Sequence, residues 1–380
     1  MIEPQSHEQL KQEIAARMLE DRALLDQLRS EVRPLRSEAR LIQPRNTTAV
    51  SLVGTDGGNN SLQFDPFLVQ LIRVVDSSNN EYCLEAITPT TNVASLSAKQ
   101  FNSDGSSQTA LGKMMKYLGV DDLSRLSHMI RSSKDNRPVS SSWVQVYREL
   151  VEWAILFSLI REKDFGTDTL IVFDGLLRSK VFTGELFAQY LQGISEGIER
   201  QRQKNRRRIY LVGVAKHSKV LTRYRLAMAL EQVLTTNYPA YVAIPRELEE
   251  KSYVWPEFAR GDDRVTESTE ANKQVGGRLF FVKFGSGPRD PIWPIDIYVP
   301  QVSDTQAIIG YMLADAINGF PVPCYPLCLQ KAHENAALVD FDLDILQDQI
   351  YSAIRDVLGS EAPALDAFRL QDADPAQARY

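Results

Sequence analysis

Two aspartates stand out because each closes an apolar, β-rich run and is followed by glycine: Asp56 in SLVGTDGG and Asp174 in LIVFDGLL. Open α/β sheets gather ligands beyond the C-terminal ends of their strands, and a carboxylate with a small neighbour there leaves room for a hydrated divalent cation. One Asp-Gly after a strand is ordinarily only a turn, whereas two on central strands of one sheet would bring hard oxygen donors together. A helical apolar rhythm in WVQVYRELVEWAILFSLIRE, just before the second strand, carries Glu149 and Glu152. Glu152 sits between Val151 and the apolar pair Trp153 and Ala154. A carboxylate in such company must be solvated, paired or metal-bound, because burying it bare is expensive. The plain alternative is an ion pair with Arg148 or Arg161.

Further along, GVAKHSK places Lys216, His217 and Ser218 just after another strand, where charge and hydroxyl suit a phosphate. Near the C-terminus, FPVPCYPLCLQKAHENA holds Tyr325 on a Pro-rich turn and His333 in the helix that follows. Of the four histidines, His333 is the best placed for chemistry, although a lone helical histidine is usually structural or surface. Cys324, Cys328 and His333 lack the second ligand pair of a structural zinc site. No GxxxxGK[ST], GxGxxG or GxSxG segment occurs, which argues against nucleotide-binding loops and a serine-hydrolase elbow. The run RQRQKNRRR, residues 200–208, would cap a helix, and its density also suits a phosphate backbone or an acidic partner.

The elements that must position these groups follow from periodicity. Residues 7–40 read as a long polar helix with a broken apolar stripe, ending near Pro34, that packs on a partner or back on its own domain. TAVSLVGTD, FLVQLIRVV and YCLEAIT read as a three-stranded meander with GGNN and DSSNNE as its connections. Residues 95–142 read as an insertion with one helical piece near LGKMMKYLG. Helix, strand TLIVFDG, a helix over 182–204, strand RIYLVGVA and another helix then alternate, which implies parallel strands with crossover helices. GRLFFVKF and WPIDIYVP add strands before helices at 304–317, 327–339 and 343–358, and the tail after Gly359 reads as disordered. The fold expected is α/β: an RNase H-like mixed central sheet flanked by helices, with an N-terminal helical extension. The expected division is 1–45 extension, 46–340 main domain, and 341–380 C-terminal helix and tail.

Hydrophobic residues at 43% and charged residues at 24% are ordinary for a globular chain and exclude wholesale disorder. A net charge of -6 means that no global basic field attracts nucleic acid, so any such contact must be local. Three cysteines are no disulfide framework, and the N-terminus lacks an apolar leader. A chain in the reducing cytoplasm, with no membrane span, is expected.

Taken in order, TDGG after the first strand, the acidic helix before FDGLL, GVAKHSK, and YPLCLQKAHENA resemble the NurA nuclease family over residues 48–340. The resemblance implies manganese- or magnesium-dependent DNA cleavage, as a single-strand endonuclease, a 5'-3' exonuclease or both. It also implies a homodimer that works with a HerA-like hexameric ATPase in DNA end processing or phage defence. Residue by residue it implies metal ligands at Asp56 and Asp174, with Glu152 the best match for a helical glutamate and Glu149 left open. Tyr325 and His333 match a late tyrosine and histidine with their separation preserved. In that setting His333 would complete a metal shell or handle a proton, and Lys216 would offset phosphate charge. Two rivals stand beside this: a non-catalytic scaffold of the same fold that docks a HerA-like motor, and an RNase H-like nuclease acting on RNA.

Overall fold

A computed structural model describes all residues except 1–2, 46–49, 65–66, 131–141, 256–273, 338–339 and 364–380; the side chains of 4–5, 50–69 and parts of 340–347 are also outside it. The tail expected to be disordered falls largely on 364–380, outside the described residues.

The N-terminal polar run forms three helices where one was expected: α1 (Pro4–Glu20), α2 (Arg22–Val32) and α3 (Leu35–Glu38). The chain breaks at Asp21 and again before Pro34, whose ring cannot continue a helix as a donor. A short strand, β1 (Arg40–Leu41), follows.

The meander consists of β2 (Val50–Phe64), β3 (Phe67–Asp76) and β4 (Glu81–Ile87), paired antiparallel. GGNN is not its first connection. β2 runs straight through those residues, because the ladder to β3 continues from Thr55↔Asp76 to Phe64↔Phe67 and overrides the local turn preference of glycine and asparagine. The 95–142 stretch contains α4 (Val93–Ala98), α5 (Ala110–Tyr117) and α6 (Leu123–Leu126). Their residues Leu96, Met114, Met115 and Leu123 are buried in the main core, so this insertion is integral to the packing.

The central alternation is as expected: α7 (Ser142–Glu162), β5 (Asp168–Asp174), α8 (Leu186–Asn205), β6 (Ile209–Val214) and α9 (Lys219–Leu230). Then come β7 (Ala240–Ala243), α10 (Arg246–Glu250), β8 (Gly277–Lys283) and β9 (Ile292–Tyr298). A 3-10 turn (Val299–Asp304) leads to α11 (Thr305–Ala316), α12 (Leu327–Ala336) and α13 (Asp340–Leu358). No helix among the described residues is long and apolar enough to cross a membrane.

One nine-stranded sheet runs in the order β1-β7-β8-β9-β6-β5-β2-β3-β4. β2, β5 and β6 are parallel, and the meander extends one side as an RNase H-like sheet requires. β9, β8, β7 and β1 extend the other side antiparallel. Alternation along β5 assigns the two faces. Ile171 and Phe173 join the layer of α7 and α8, while Leu170 and Val172 join the layer of α11 and α12. Asp174, next in the alternation, therefore belongs to the α11–α12 face at the strand's C-terminal end.

The N-terminal extension folds back in part. Val32 and Leu35 are buried against Val220, Tyr224 and Met228 of α9, and both Arg29 and Arg33 pair with Glu231. Hydrogen bonds from these two arginines hold the Glu231 carboxyl down to about 2 from its ordinary 4.5. A depressed carboxylate stabilises above its unfolded pKa, so this clamp is intact at neutral pH and is lost as pH falls from about 4.5 toward 2.

Candidate functional site

Asp174 ends β5, and Gly175 turns the chain away with φ +133, a conformation that favours glycine. The turn then lies directly over β6: a Cβ on Gly213 would come within 2.3 Å of the Gly175 carbonyl and 2.9 Å of Leu177 N. Two glycines thus let the strand end and its following loop press against the neighbouring strand. Gly175 N donates to Val214 O at 2.8 Å, which fixes the Asp174 backbone beside the end of β6. Two residues past β6, Lys216 places Nζ 3.2 Å from Asp174 Oδ2, with Asp174 mostly buried and Lys216 largely exposed. His217 next to it is exposed, and the buried Ser218 caps α9 by accepting from Val220 N and Leu221 N.

On the other flank, β2 pairs in parallel with β5 up to Thr55↔Phe173. Asp56 is therefore the next backbone position on β2, level with Asp174. It lies within the strand, not at its end, at the point where β2 leaves β5 and continues paired with β3 through Asp56↔Val75. The Asp56 side chain lies outside the described residues.

The glutamates of α7 are positioned by an aromatic stack. Trp153 stacks on Phe173 at 4.6 Å, immediately before Asp174, and Trp153 Nε1 donates to Glu149 Oε1 at 3.3 Å. Ser179 Oγ, in the loop after β5, donates to the same oxygen at 2.6 Å. Glu149 is thereby tied to the end of β5. Both bonds fall on Oε1, and among the described residues none falls on Oε2. Glu152 lies 3.3 Å from Arg148 Nε one turn earlier in its own helix, the plain ion pair that the sequence left open. Glu149→Gln is accordingly expected to impair the site more than Glu152→Gln, the reverse of the order expected from apolar neighbours. Parallel assays of the two variants decide it, and a dead Glu152→Gln beside an active Glu149→Gln would contradict this placement.

Tyr325 is buried and packs edge-on against Trp293 at 4.7 Å, in the loop leading to α12. α12 lies across β2, β3 and β5, and Asn335 Nδ2 donates to Asp76 O at 3.2 Å. His333 is on the exposed flank of this helix, beside its buried residues Leu329 and Ala332. Burial pushes the thiols of Cys83, Cys324 and Cys328 upward, Cys83 to about 12, so they stay protonated and are poor metal ligands. Asp76, at the end of β3, is a closed structural carboxylate. Burial would raise it, but hydrogen bonds from Asn80, Tyr82 and Ser78 hold it below its usual range.

A buried ion network behind the loop escaped the sequence reading. Arg178 donates to Asp296 through Nε at 2.9 Å and through its Nη2 at 2.7 Å, and to Glu249 through Nη1 at 2.9 Å. Arg246 joins Glu249 and donates to Gly277 O at 2.8 Å. The signal was present in WPIDIY, where Asp296 stands between buried Ile295 and Ile297: a charge inside an apolar strand must have a partner.

The 200–208 arginine run is elsewhere. Arg202, Arg207 and Arg208 border a cleft of about 340 Å³ at the start of β6, the opposite edge of the sheet from Asp174. A larger cleft of about 710 Å³, bordered by Arg40, Tyr241, Arg278 and Val302, is also remote from Asp174. Among the described residues, no three His, Cys, Asp or Glu side chains are grouped to hold a metal ion.

No protein-family model matches the chain, and no curated protein matches it. Among solved structures, it is similar to the NurA nuclease from Sulfolobus solfataricus at 12% identity and a TM-score of 0.42, covering 94% of this chain and 99% of that one. It is also similar to a second NurA structure at 14% identity and 0.41, covering 96% and 100%. A third is NurA bound to dAMP and manganese, at 12% identity and 0.40, covering 96% and 100%.

Proposed function

We propose that this chain is a divalent-metal-dependent nuclease that cuts DNA at the C-terminal edge of β2, β5 and β6. The observation that carries the reading is Asp174 at the end of a central parallel strand, paired at 3.2 Å with Lys216 from the end of the next, with Asp56 level with it on the third. A carboxylate opposed by an exposed lysine suits a site that must hold a cation and then an anionic phosphate.

The donor chemistry fits a hard cation: the groups here are carboxylates, and the cysteines are held as thiols. On this reading Asp174 and Asp56, with Glu149 or Glu152, hold manganese or magnesium, which when bound activates water and neutralises charge on the phosphoryl group. Lys216 swings from Asp174 to a non-bridging phosphate oxygen. Ser179 and Trp153 hold Glu149 beside the end of β5 through its Oε1. His333, from the helix laid across β2 and β5, handles a proton or completes the ligand set, and Tyr325 supports the start of that helix.

Side-by-side digestion of single-stranded DNA, duplex DNA and RNA, with manganese and with a chelator, tests this. Metal-dependent loss of DNA is expected, and RNA cleavage alone would move the chain to the RNA-cutting class. His333→Ala is expected to slow cleavage by about 10- to 100-fold, since supporting groups of a metal site contribute on that order. Its DNA affinity should be unchanged; normal cleavage would make His333 a surface residue.

The reading extends to a homodimer that engages a HerA-like hexameric ATPase in DNA end processing or phage defence. Exposed Leu10, Ile14 and Met18, spaced by four along α1, form an apolar stripe suited to association. Light scattering is expected to give about twice the 42.9 kDa chain mass, and a strict monomer that ignores the cognate ATPase would overturn this extension.

A further inference from the structure

The loop between α11 and α12 carries the sequence INGFPVP, and it holds two large apolar side chains out in water: Phe320 is 79% exposed and Ile317 is 62% exposed. An exposed phenylalanine at the tip of a slack loop would mean little. This loop is pinned. Gln330 clamps it from both sides, accepting from Val322 N at 2.8 Å and donating to Val322 O at 2.9 Å and Tyr325 O at 3.0 Å. Trp293 Nε1 donates to Cys324 O at 2.6 Å. A Cβ on Gly319 would strike Tyr325 O at 2.3 Å, so the backbone is folded tightly on itself. The ring is presented by a preorganised frame, which lowers the entropy lost when something settles on it.

Its place in the fold says what that is. Ala215 N donates to Pro294 O at 3.1 Å, so Trp293 and the loop it holds lie at the same sheet edge as Lys216 and Asp174. From β9 to β5 is two strand spacings, about 10 Å. Exposed cations lie at or beside that edge: Lys216, Arg289 in the β8–β9 connection, and Lys331 midway along α12. A fixed, exposed aromatic on a loop held at the same sheet edge as these cations matches how single-stranded nucleic acid is gripped, with bases on aromatic faces and backbone on positive charge. In a duplex the base faces are already stacked and covered.

The geometry points to Phe320 as a base-stacking platform that makes single-stranded polynucleotide the preferred occupant of this edge, a base resting on the ring while the backbone runs toward Lys216. The inference rests on the nucleic-acid reading of the site but not on cleavage. It is tested by fluorescence anisotropy with a labelled single-stranded oligothymidylate and a labelled duplex of equal length, both in chelator so that nothing is cut. Phe320→Ala is expected to weaken single-strand binding by about tenfold or more, because stacking on one aromatic is worth that much. Phe320→Tyr should restore it, and duplex affinity should move by less than about twofold on the same stacking argument. Unchanged single-strand affinity in Phe320→Ala, or an equal loss for both DNAs, overturns the inference. So does a variant that binds DNA normally but loses a protein partner. A wild-type chain that binds single strands through Phe320 yet never cuts would leave this inference standing and sink the nuclease reading.

Discussion

Asp174→Ala is expected to reduce metal-dependent DNA cleavage by about 10³-fold or more while leaving the chain folded, because on the function proposed above it removes a charge that holds the ion. The ion pair lost with Lys216, at 3.2 Å, is partly exposed. Such pairs contribute at most about 1 kcal/mol. Asp168→Ala is the matching control: it sits at the other end of the same strand, where its carboxylate accepts from Arg208 N at 2.9 Å. It should cut DNA normally. Wild-type rates in purified, folded Asp174→Ala would remove the site from this edge of the sheet.

The largest stability effect is expected at Arg178. Its side chain is 2% exposed and joins Asp296 and Glu249, both 0% exposed. Burial disfavours its charge, yet the two carboxylates prevail and keep its pKa well above the ordinary arginine value, so it is charged at every working pH. Arg178→Met strands two buried carboxylates, of which Glu249 keeps its pair with Arg246, and breaking a buried pair this way costs about 3–5 kcal/mol. For a chain of this size that lowers the melting temperature by about 5 °C, measurable by calorimetry. Arg178→Lys keeps the charge but loses the two-pronged grip on Asp296, so it should fall between. Because Ser179 follows directly and holds Glu149, the methionine variant should also lose activity below its melting point. Unchanged melting in Arg178→Met would show that the network contributes nothing net.

The central layer was legible because its patterns are local. Apolar spacing in 143–162 and the short runs ending at Asp174 and Val214 dictate helix, strand, helix, strand, and the order of these elements leaves few sheets to choose from. What was not legible depended on distant partners. GGNN has the composition of a turn, yet β3 pairs with it residue by residue and keeps it extended. GRLFFVKF and WPIDIYVP read as strands and are β8 and β9, whereas the four-residue β7 escaped the sequence reading, and nothing local says that β9 inserts beside β6 in the opposite direction. The choice between Glu149 and Glu152 turned on helix phase. Apolar sequence neighbours favoured Glu152, whereas the structure ties Glu149 to Trp153 one turn on and so to Phe173. Asp174 and Lys216 could each be named from sequence, but their pairing required β5 and β6 to be adjacent and parallel.

The most direct measurement is a titration of manganese into the purified chain, followed by calorimetry, for wild type and Asp174→Asn. The account predicts saturable binding by the wild type that is lost or weakened by about 100-fold in the variant, whose amide keeps the shape but not the charge. Equal manganese binding by the two proteins would contradict it.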